Sequence, residues 1–230
     1  MLVKDWMSSE VITIEENDSM QEALKLLKEH DIRMLPVMKK GKLVGIVTDR
    51  DLKKASPSDA TTLEVHELLY LLTQVEVKEI MTRDPVTVPP DYTVEETAQV
   101  LLENKISGAP VMDKTGKVIG TITQTDLFRV LISLTGVASG GIQFGFYLED
   151  KPGSIKEVAD IIRQYGGRMV SILTSYDGVA DGYRNVFIRM HSVERSKLQR
   201  LKDKLSEKAT LLYMIDQRQN KREIFSGPDN

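Results

Sequence analysis

The stretch that decides the fold reads GIVTDRD at residues 45–51 and returns as GTITQTD at residues 120–126. Upstream the correspondence holds at a constant offset of 74 residues, which pairs LPVM at 35–38 with APVM at 109–112. The offset becomes 75 where KKGK (39–42) faces DKTGK (113–117). Because this extra residue lies in a glycine-containing hairpin turn, it leaves the core register intact. Residues 1–134 are therefore predicted to contain an internal duplication.

Each copy is predicted to fold as strand, helix, strand, strand, helix. The first helix of each copy begins with a capping box, Ser19-x-x-Glu22 in one and Thr93-x-x-Glu96 in the other. Short strands rich in β-branched residues follow in each copy. They are expected at residues 34–38, 43–47, 109–112 and 118–123.

The predicted boundaries divide the chain into six parts. Residues 1–55 and 77–134 are the two repeats. Residues 56–76 connect them: a break at Ser56-Pro57-Ser58 is followed by a helix from about residue 63 to 73. Its packing residues are expected to be Leu68, Leu69, Leu71 and Leu72. Residues 135–141, TGVASGG, are predicted to be a flexible linker. Residues 142–216 are predicted to fold in the order β-α-β-β-α-β, which is ferredoxin-like. Residues 217–230 are predicted to be a frayed tail. The fold class predicted for the chain is α+β.

Composition excludes several classes of function. A formal net charge of −3 gives no reason to expect binding to nucleic acid or to a membrane surface. The chain has no cysteine, and its three histidines lack metal-ligand spacing, so neither a metal nor a catalytic cofactor is expected. No signal core and no apolar run of about 18 residues stands out, and a cytoplasmic location is expected.

The repeated threonine and aspartate are the candidate binding residues. They stand where a strand ends and a helix begins, and unpaired N–H groups there, together with the Thr48 or Thr123 hydroxyl, are suited to a phosphate. Asp51 and Asp126 are suited to accept hydrogen bonds from ribose hydroxyls. The alternative is that Thr-x-x-Asp is only a helix cap. Arg50 makes the first copy more cationic than the second, so the two sites are not expected to be equivalent.

The combination of matched repeats, proline-containing strands and two Gly-x-x-Thr-x-x-Asp runs resembles tandem CBS domains, also called a Bateman module. The resemblance covers residues 1–134. It implies two clefts between the repeats that bind AMP, ADP, ATP or S-adenosylmethionine, with adenine against apolar residues and the strand prolines near its edge. Core packing is the alternative role for those apolar residues, and which half-sites combine stays open. The nucleotide-binding residues implied are Ile12, Ile32, Arg33, Leu35, Pro36, Thr48, Arg50, Asp51, Val86, Ile106, Ser107, Ala109, Pro110, Thr123, Thr125 and Asp126.

The turn EDKPGSI at residues 149–155 resembles the Asp-x-Pro-Gly-x-Leu turn of ACT domains. That resemblance implies an amino-acid site formed by Asp150, Pro152, Gly153 and Ile155. The alternative is structural, because Pro-Gly forms turns and Ser154-x-x-Glu157 is another capping-box pattern.

The order CBS, CBS, ACT is similar to the family of acetoin-utilisation proteins of the B type (AcuB). The first hypothesis, from the CBS and ACT resemblances, is a regulator that senses an adenosine nucleotide and modulates a metabolic enzyme of unknown identity, with the ACT domain supplying either an amino-acid site or a dimer interface. A homodimer is expected because CBS modules commonly pair through their helices and the edges of the ACT sheet are best covered by a second sheet. A structural oligomerisation protein without ligands is the second hypothesis. An enzyme is the third, and it lacks a partner for an acid–base carboxylate, so no catalytic residue is assigned.

Overall fold

The computed structural model describes residues 1–56, 70, 72–225 and 227. It divides into two compact units, Met1–Phe128 and Arg129–Asn230, and the division falls inside one helix. Both units are mixtures of helices and strands.

The first unit contains the two repeats in the predicted element order. The first repeat has β1 (Ile14–Glu15), α1 (Met20–Glu29), β2 (Met34–Lys39), β3 (Lys42–Thr48) and α2 (Asp49–Ala55). The second is introduced by α3 (Val77–Ile80) and β4 (Thr82–Arg83) and continues with α4 (Val94–Glu103), β5 (Gly108–Met112), β6 (Val118–Thr123) and α5 (Gln124–Thr135). A short 3-10 helix, Val3–Asp5, lies near the N-terminus.

The predicted helix starts are confirmed by their caps. Ser19 Oγ accepts a hydrogen bond from the Glu22 backbone N–H at 3.2 Å. Thr93 and Glu96 bond reciprocally, each backbone N–H to the other's side chain, at 2.7 and 3.1 Å. The four predicted strands are also present, each within one residue of its predicted ends.

The two repeats exchange their leading segments, which the sequence pattern did not predict. Strand β4, from the start of the second repeat, pairs with β3 of the first through Gly45↔Arg83 and Ile46↔Thr82. In the reciprocal position Ser8 bridges Thr121 on β6. Val77 is completely buried in the core of the first repeat and Val3 in the core of the second. Each repeat therefore needs the other's leading segment to complete its sheet and its core.

The predicted connector helix lies largely outside the described residues. Helix is present at residues 70 and 72–74, and Leu72 is 9% exposed in the core of the first repeat. The expected packing of Leu68, Leu69 and Leu71 falls on residues that the structure does not describe.

The second unit is built around a five-stranded antiparallel sheet. Beyond α5 its elements are a 3-10 helix (Val137–Ser139), β7 (Ile142–Glu149), α6 (Ser154–Gln164), β8 (Arg168–Ser175), β9 (Tyr183–His191), α7 (Arg195–Ser206), β10 (Thr210–Asp216) and β11 (Lys221–Ile224). The strands are ordered β11-β10-β7-β9-β8 in the sheet. The core lies between one face of the sheet and the two helices, and its largest buried members are Phe144 and Phe146.

The prediction that residues 135–141 form a flexible linker is wrong. Thr135 closes α5, and a 3-10 turn follows it. The buried Arg189 donates from Nε to the Thr135 carbonyl at 2.8 Å, and Ser171 Oγ donates to the same oxygen at 2.9 Å. These bonds satisfy a carbonyl at the end of α5, so the glycine-rich run is held by side chains of the sheet.

The prediction of a frayed tail over residues 217–230 is wrong for its first half. Strand β11 pairs with β10 from Asp216↔Lys221 to Tyr213↔Ile224. The turn between them is fixed by Asp216, whose Oδ1 accepts the Arg218 N–H at 3.1 Å and the Arg195 guanidinium at 3.0 Å. The Asp216 carboxylate is fully buried and hydrogen-bonded, and it holds the turn in place so that the polar residues 221–224 form an ordered edge strand.

Candidate functional site

The first repeated pair forms a closed hydrogen-bonded unit at the end of β3. Asp51 Oδ2 accepts from the Thr48 N–H at 3.0 Å and from the Thr48 hydroxyl at 2.6 Å. In return the Asp51 N–H donates to Thr48 Oγ1 at 3.3 Å. The structural alternative is therefore realised, since these residues do cap α2. Because both cap bonds use Oδ2 of Asp51, a ligand would be bound through Oδ1 and the neighbouring groups.

The second pair repeats this geometry. Asp126 Oδ2 accepts from the Thr123 N–H at 2.9 Å and from the Thr123 hydroxyl at 2.7 Å. Asp126 is 7% exposed, and Asp51 is half-buried. The duplication seen in the sequence is thus preserved at the level of individual hydrogen bonds.

A close contact between the repeats brings the two pairs into the same region of the first unit. Met34 stands opposite Thr48 in the β2–β3 ladder, and Gly108 stands opposite Thr123 in the β5–β6 ladder. A Cβ atom at Gly108 would lie only 3.2 Å from Met34 Cε and 2.9 Å from the Ile122 carbonyl oxygen. Glycine is the residue that allows the two strand ends to approach this closely.

The apolar candidates divide between core and partial exposure. Leu35 and Ala109 are 0% exposed, so their side chains are enclosed in the two cores. Pro36 and Pro110 are buried on their strands, and the Pro110 carbonyl already accepts from the Val88 N–H at 3.1 Å. Four half-buried residues keep part of their surface outside the cores: Ile12, Ile32, Val86 and Ile106.

The polar candidates lie beside the starts of α2 and α5. The Asp49 N–H donates to the Arg33 carbonyl at 3.2 Å, and the Gln124 N–H donates to the Ser107 carbonyl at 2.9 Å. The residue before each strand is thereby held against the helix start of its own repeat. Four of the predicted residues are exposed at these positions: Arg33, Arg50, Ser107 and Thr125.

Sequence reasoning missed Met34 and Gly108, which bring the two repeats together. A signal was available for Gly108, because a glycine at the start of an apolar strand often marks a close approach of another part of the structure. Met34 carries no comparable signal, since methionine fills irregular cores in many settings.

The turn before α6 in the second unit is also ordered. Gly153 has φ +90°, and no side chain caps the helix at that residue, so the expected capping by Ser154 is wrong. Ser154 is instead buried and accepts from the Arg184 guanidinium at 3.2 Å. Asp150 lies 3.4 Å from the same guanidinium, and Ile155 packs against the core. Pro152 is exposed.

Arg184 on β9 contacts this turn, and it was not singled out from the sequence. Its side chain is 16% exposed, and its Nε is buried without a partner among the residues described. A guanidinium beside the positive end of a helix favours an anion nearby, and Asp150 supplies one such charge.

Over residues 1–56, 70, 72–225 and 227, no group of three acidic, histidine or cysteine side chains is arranged to hold a metal ion. Within the same ranges no helix is both long and apolar enough to cross a bilayer.

Comparison with known proteins identifies the repeats. A model of the CBS domain matches residues 3–58 and 77–133. A CBS domain-containing protein of Dictyostelium discoideum is 37% identical over 135 residues, which are 58% of this chain and 93% of that protein. An inosine-5′-monophosphate dehydrogenase of Korarchaeum cryptofilum is 41% identical over 119 residues, 52% of this chain. The match spans only 22% of that dehydrogenase.

Two solved structures are also similar. The CBS domain pair of protein MJ0100, in complex with 5′-methylthioadenosine and S-adenosyl-L-methionine, has 36% identity and a TM-score of 0.48 over 57% of this chain and 95% of that one. A Vibrio cholerae protein assigned to acetoin utilization (AcuB) has 28% identity and a TM-score of 0.49 over 60% of this chain and 96% of that one. By the matched repeats and the Dictyostelium relative, this chain belongs to the CBS-domain-containing proteins and carries a tandem CBS pair.

Proposed function

We propose that the tandem CBS pair is a regulatory sensor that binds adenosine nucleotides, AMP, ADP, ATP or S-adenosylmethionine, in the clefts between its repeats. The observation that carries the proposal is the convergence of two identical Thr–Asp pairs, Thr48 with Asp51 and Thr123 with Asp126, at strand ends that touch through Met34 and Gly108. A helix cap alone requires neither the duplication nor the convergence.

Each pair offers chemistry that suits a nucleoside. Besides the cap bonds that Oδ2 accepts, each aspartate carboxylate is proposed to accept from ribose hydroxyls. The half-buried Ile32 and Ile106 supply apolar surface on which adenine can lie. The exposed Arg33 and Arg50 supply donors for phosphate in the first repeat.

A thermal shift tests this function. At a nucleotide concentration about 100 times Kd, mass action stabilises the folded protein by roughly 2.7 kcal/mol. We expect a clear rise in the melting temperature with at least one of AMP, ADP, ATP and S-adenosylmethionine, measured by calorimetry on the full chain. If millimolar concentrations of all four leave the melting temperature unchanged, the protein is a structural oligomerisation module. The complete capping box at Thr48 and the two hydrogen bonds that Asp126 accepts from Thr123 are the observations that favour this second candidate.

The second unit is proposed to be an ACT-type domain. Its sheet order β10-β7-β9-β8, with α6 and α7 on one face, agrees with a ferredoxin-like arrangement to which β11 is added at one edge. The turn Asp150, Pro152, Gly153 and Ile155 is the proposed amino-acid site. Arg184 and the uncapped start of α6 support it, because both favour the carboxylate of such a ligand.

The proposed assembly is a homodimer that modulates a metabolic enzyme. Three large apolar side chains on α5 support the dimer, because they are 42–55% exposed and soluble proteins seldom leave such a group uncovered: Leu131, Ile132 and Leu134. Light scattering at micromolar concentration is expected to give twice the chain mass, and Ile132→Glu is expected to shift the population towards monomer. A monomeric wild-type protein would overturn the proposed assembly.

A further inference from the structure

The two Thr–Asp pairs are surrounded by side chains of different charge. Arg33 in the first repeat corresponds to Ser107 in the second, and Arg50 corresponds to Thr125. One turn further along the helix, Lys53 corresponds to Phe128. Across these matched segments, residues 33 and 48–54 carry four positively charged side chains and residues 107 and 123–129 carry one, so the formal net charge of the first set is two units more positive.

The structure places the arginines at the first pair. The Arg33 carbonyl accepts from the Asp49 N–H at 3.2 Å, and Arg50 lies in the first turn of α2. Both side chains are exposed. The Asp49 carboxylate is directed elsewhere, since it lies 3.6 Å from Lys53 Nζ, and Asp51 is engaged by Thr48. The guanidinium groups of Arg33 and Arg50 are therefore exposed cations beside the first pair, of the kind that binds phosphate.

The second pair has the same backbone arrangement without these cations. The Ser107 carbonyl accepts from the Gln124 N–H at 2.9 Å, in the position that Arg33 and Asp49 occupy in the first repeat. Thr125 and Gln124 are exposed and neutral. A polyphosphate placed here would lack the charge-assisted hydrogen bonds that the guanidinium groups of Arg33 and Arg50 can provide in the first repeat.

We infer that the two clefts select different adenosine compounds. The cleft served by Thr48 and Asp51 takes a nucleotide with a polyphosphate chain. The cleft served by Thr123 and Asp126 takes an adenosine compound whose 5′ substituent is uncharged. This inference rests on the proposed function, and Arg33 and Arg50 are its specificity-determining residues.

The test exchanges the charges between the repeats. ATP and 5′-methylthioadenosine, an adenosine thioether without phosphate, are titrated calorimetrically into the wild-type chain, R33S/R50T and S107R/T125R. Wild type is expected to bind one of each without competition. In R33S/R50T the Kd for ATP rises about tenfold or more, and that for 5′-methylthioadenosine stays unchanged. In S107R/T125R a second molecule of ATP binds.

The matched control is K42S/K117S, which removes two exposed positive charges from the hairpin turns at the far ends of the same strands. These turns are roughly 20 Å from the Thr–Asp pairs, about two Debye lengths at 0.1 M salt, so ATP affinity should stay at the wild-type value. Equal losses in K42S/K117S and R33S/R50T, or unchanged ATP affinity in R33S/R50T, would overturn the inference and leave the sensor function standing. If the wild type binds neither compound, the inference is overturned, and the thermal shifts with AMP, ADP and S-adenosylmethionine decide the sensor function separately.

Discussion

Replacement of Gly120 by valine is expected to lower the free energy of unfolding of the first unit by about 2–3 kcal/mol, the upper part of the range for overpacked sites. A Cβ atom on Gly120 would collide with Met7 Sδ and lie 2.9 Å from the Ser8 carbonyl oxygen. The Ser8 backbone is held by the Thr121 N–H and carbonyl at 3.0 and 2.9 Å, so it cannot retreat without breaking the bridge. Gly45→Val is the symmetric change, because its Cβ would lie 2.5 Å from Met81 Sδ.

Urea denaturation followed by tryptophan fluorescence measures this effect. Trp6 is the sole tryptophan and precedes Met7, so its emission reports directly on the docking of the leading segment. Lys117→Val, at an exposed position just before β6, is the control and should change stability by less than about 0.5 kcal/mol. Met7→Ala should recover part of the loss caused by Gly120→Val. Equal stability of Gly120→Val and wild type would contradict the exchange of segments between the repeats.

Local signals predicted most of the elements in the first unit. The capping-box patterns at Ser19 and Thr93 predict helices because the bond between the side-chain hydroxyl and the backbone N–H three residues later is local. The β-branched runs likewise predicted β2, β3, β5 and β6. The exchanged strand β4 is two residues long and too short to show an alternating pattern, so no local signal could reveal its pairing with β3.

The errors in the second unit have the same origin. Strand β11 reads KREI, a charged run typical of a solvated tail, and its order depends on Asp216 and the long-range pair between Lys202 and Glu223 at 2.9 Å. The glycine-rich run at residues 135–141 is ordered by Arg189, more than 45 residues away in the chain. Hydrogen bonds between distant residues override local propensity at both places.

For the candidate site, the sequence predicted the Thr–Asp pairs but not their surroundings. The pairs are visible because they are local and repeated. Their convergence depends on Met34 meeting Gly108, a contact between residues 74 positions apart that periodicity cannot specify. Leu35 and Ala109 were predicted with core packing as the alternative, and the structure places both side chains in the cores. Their contact with adenine stays a prediction.

Asp51→Ala and Asp126→Ala are each expected to raise the Kd for an adenosine ligand ten- to hundredfold at one site. Each change removes a carboxylate proposed to accept from ribose hydroxyls, and hydrogen bonds to charged groups contribute roughly 1.5–3 kcal/mol, where about 1.4 kcal/mol is a factor of ten. Each also removes a helix cap, which costs about 1 kcal/mol of stability. Calorimetric titration of both variants with the ligands that stabilise the wild type measures the affinity, and a thermal scan measures the cap.

Glu96→Ala separates these two effects. Glu96 accepts from the Thr93 N–H at 2.7 Å and from the Thr93 hydroxyl at 2.9 Å, so it forms the same cap as Asp51 and Asp126 at a helix start outside the proposed site. If the aspartates bind ribose, Glu96→Ala lowers the melting temperature and leaves both affinities at the wild-type value, while the aspartate variants lose affinity as well. If all three variants lose stability and none loses affinity, the aspartates are helix caps alone, and the nucleotide must be held by other groups of the CBS pair.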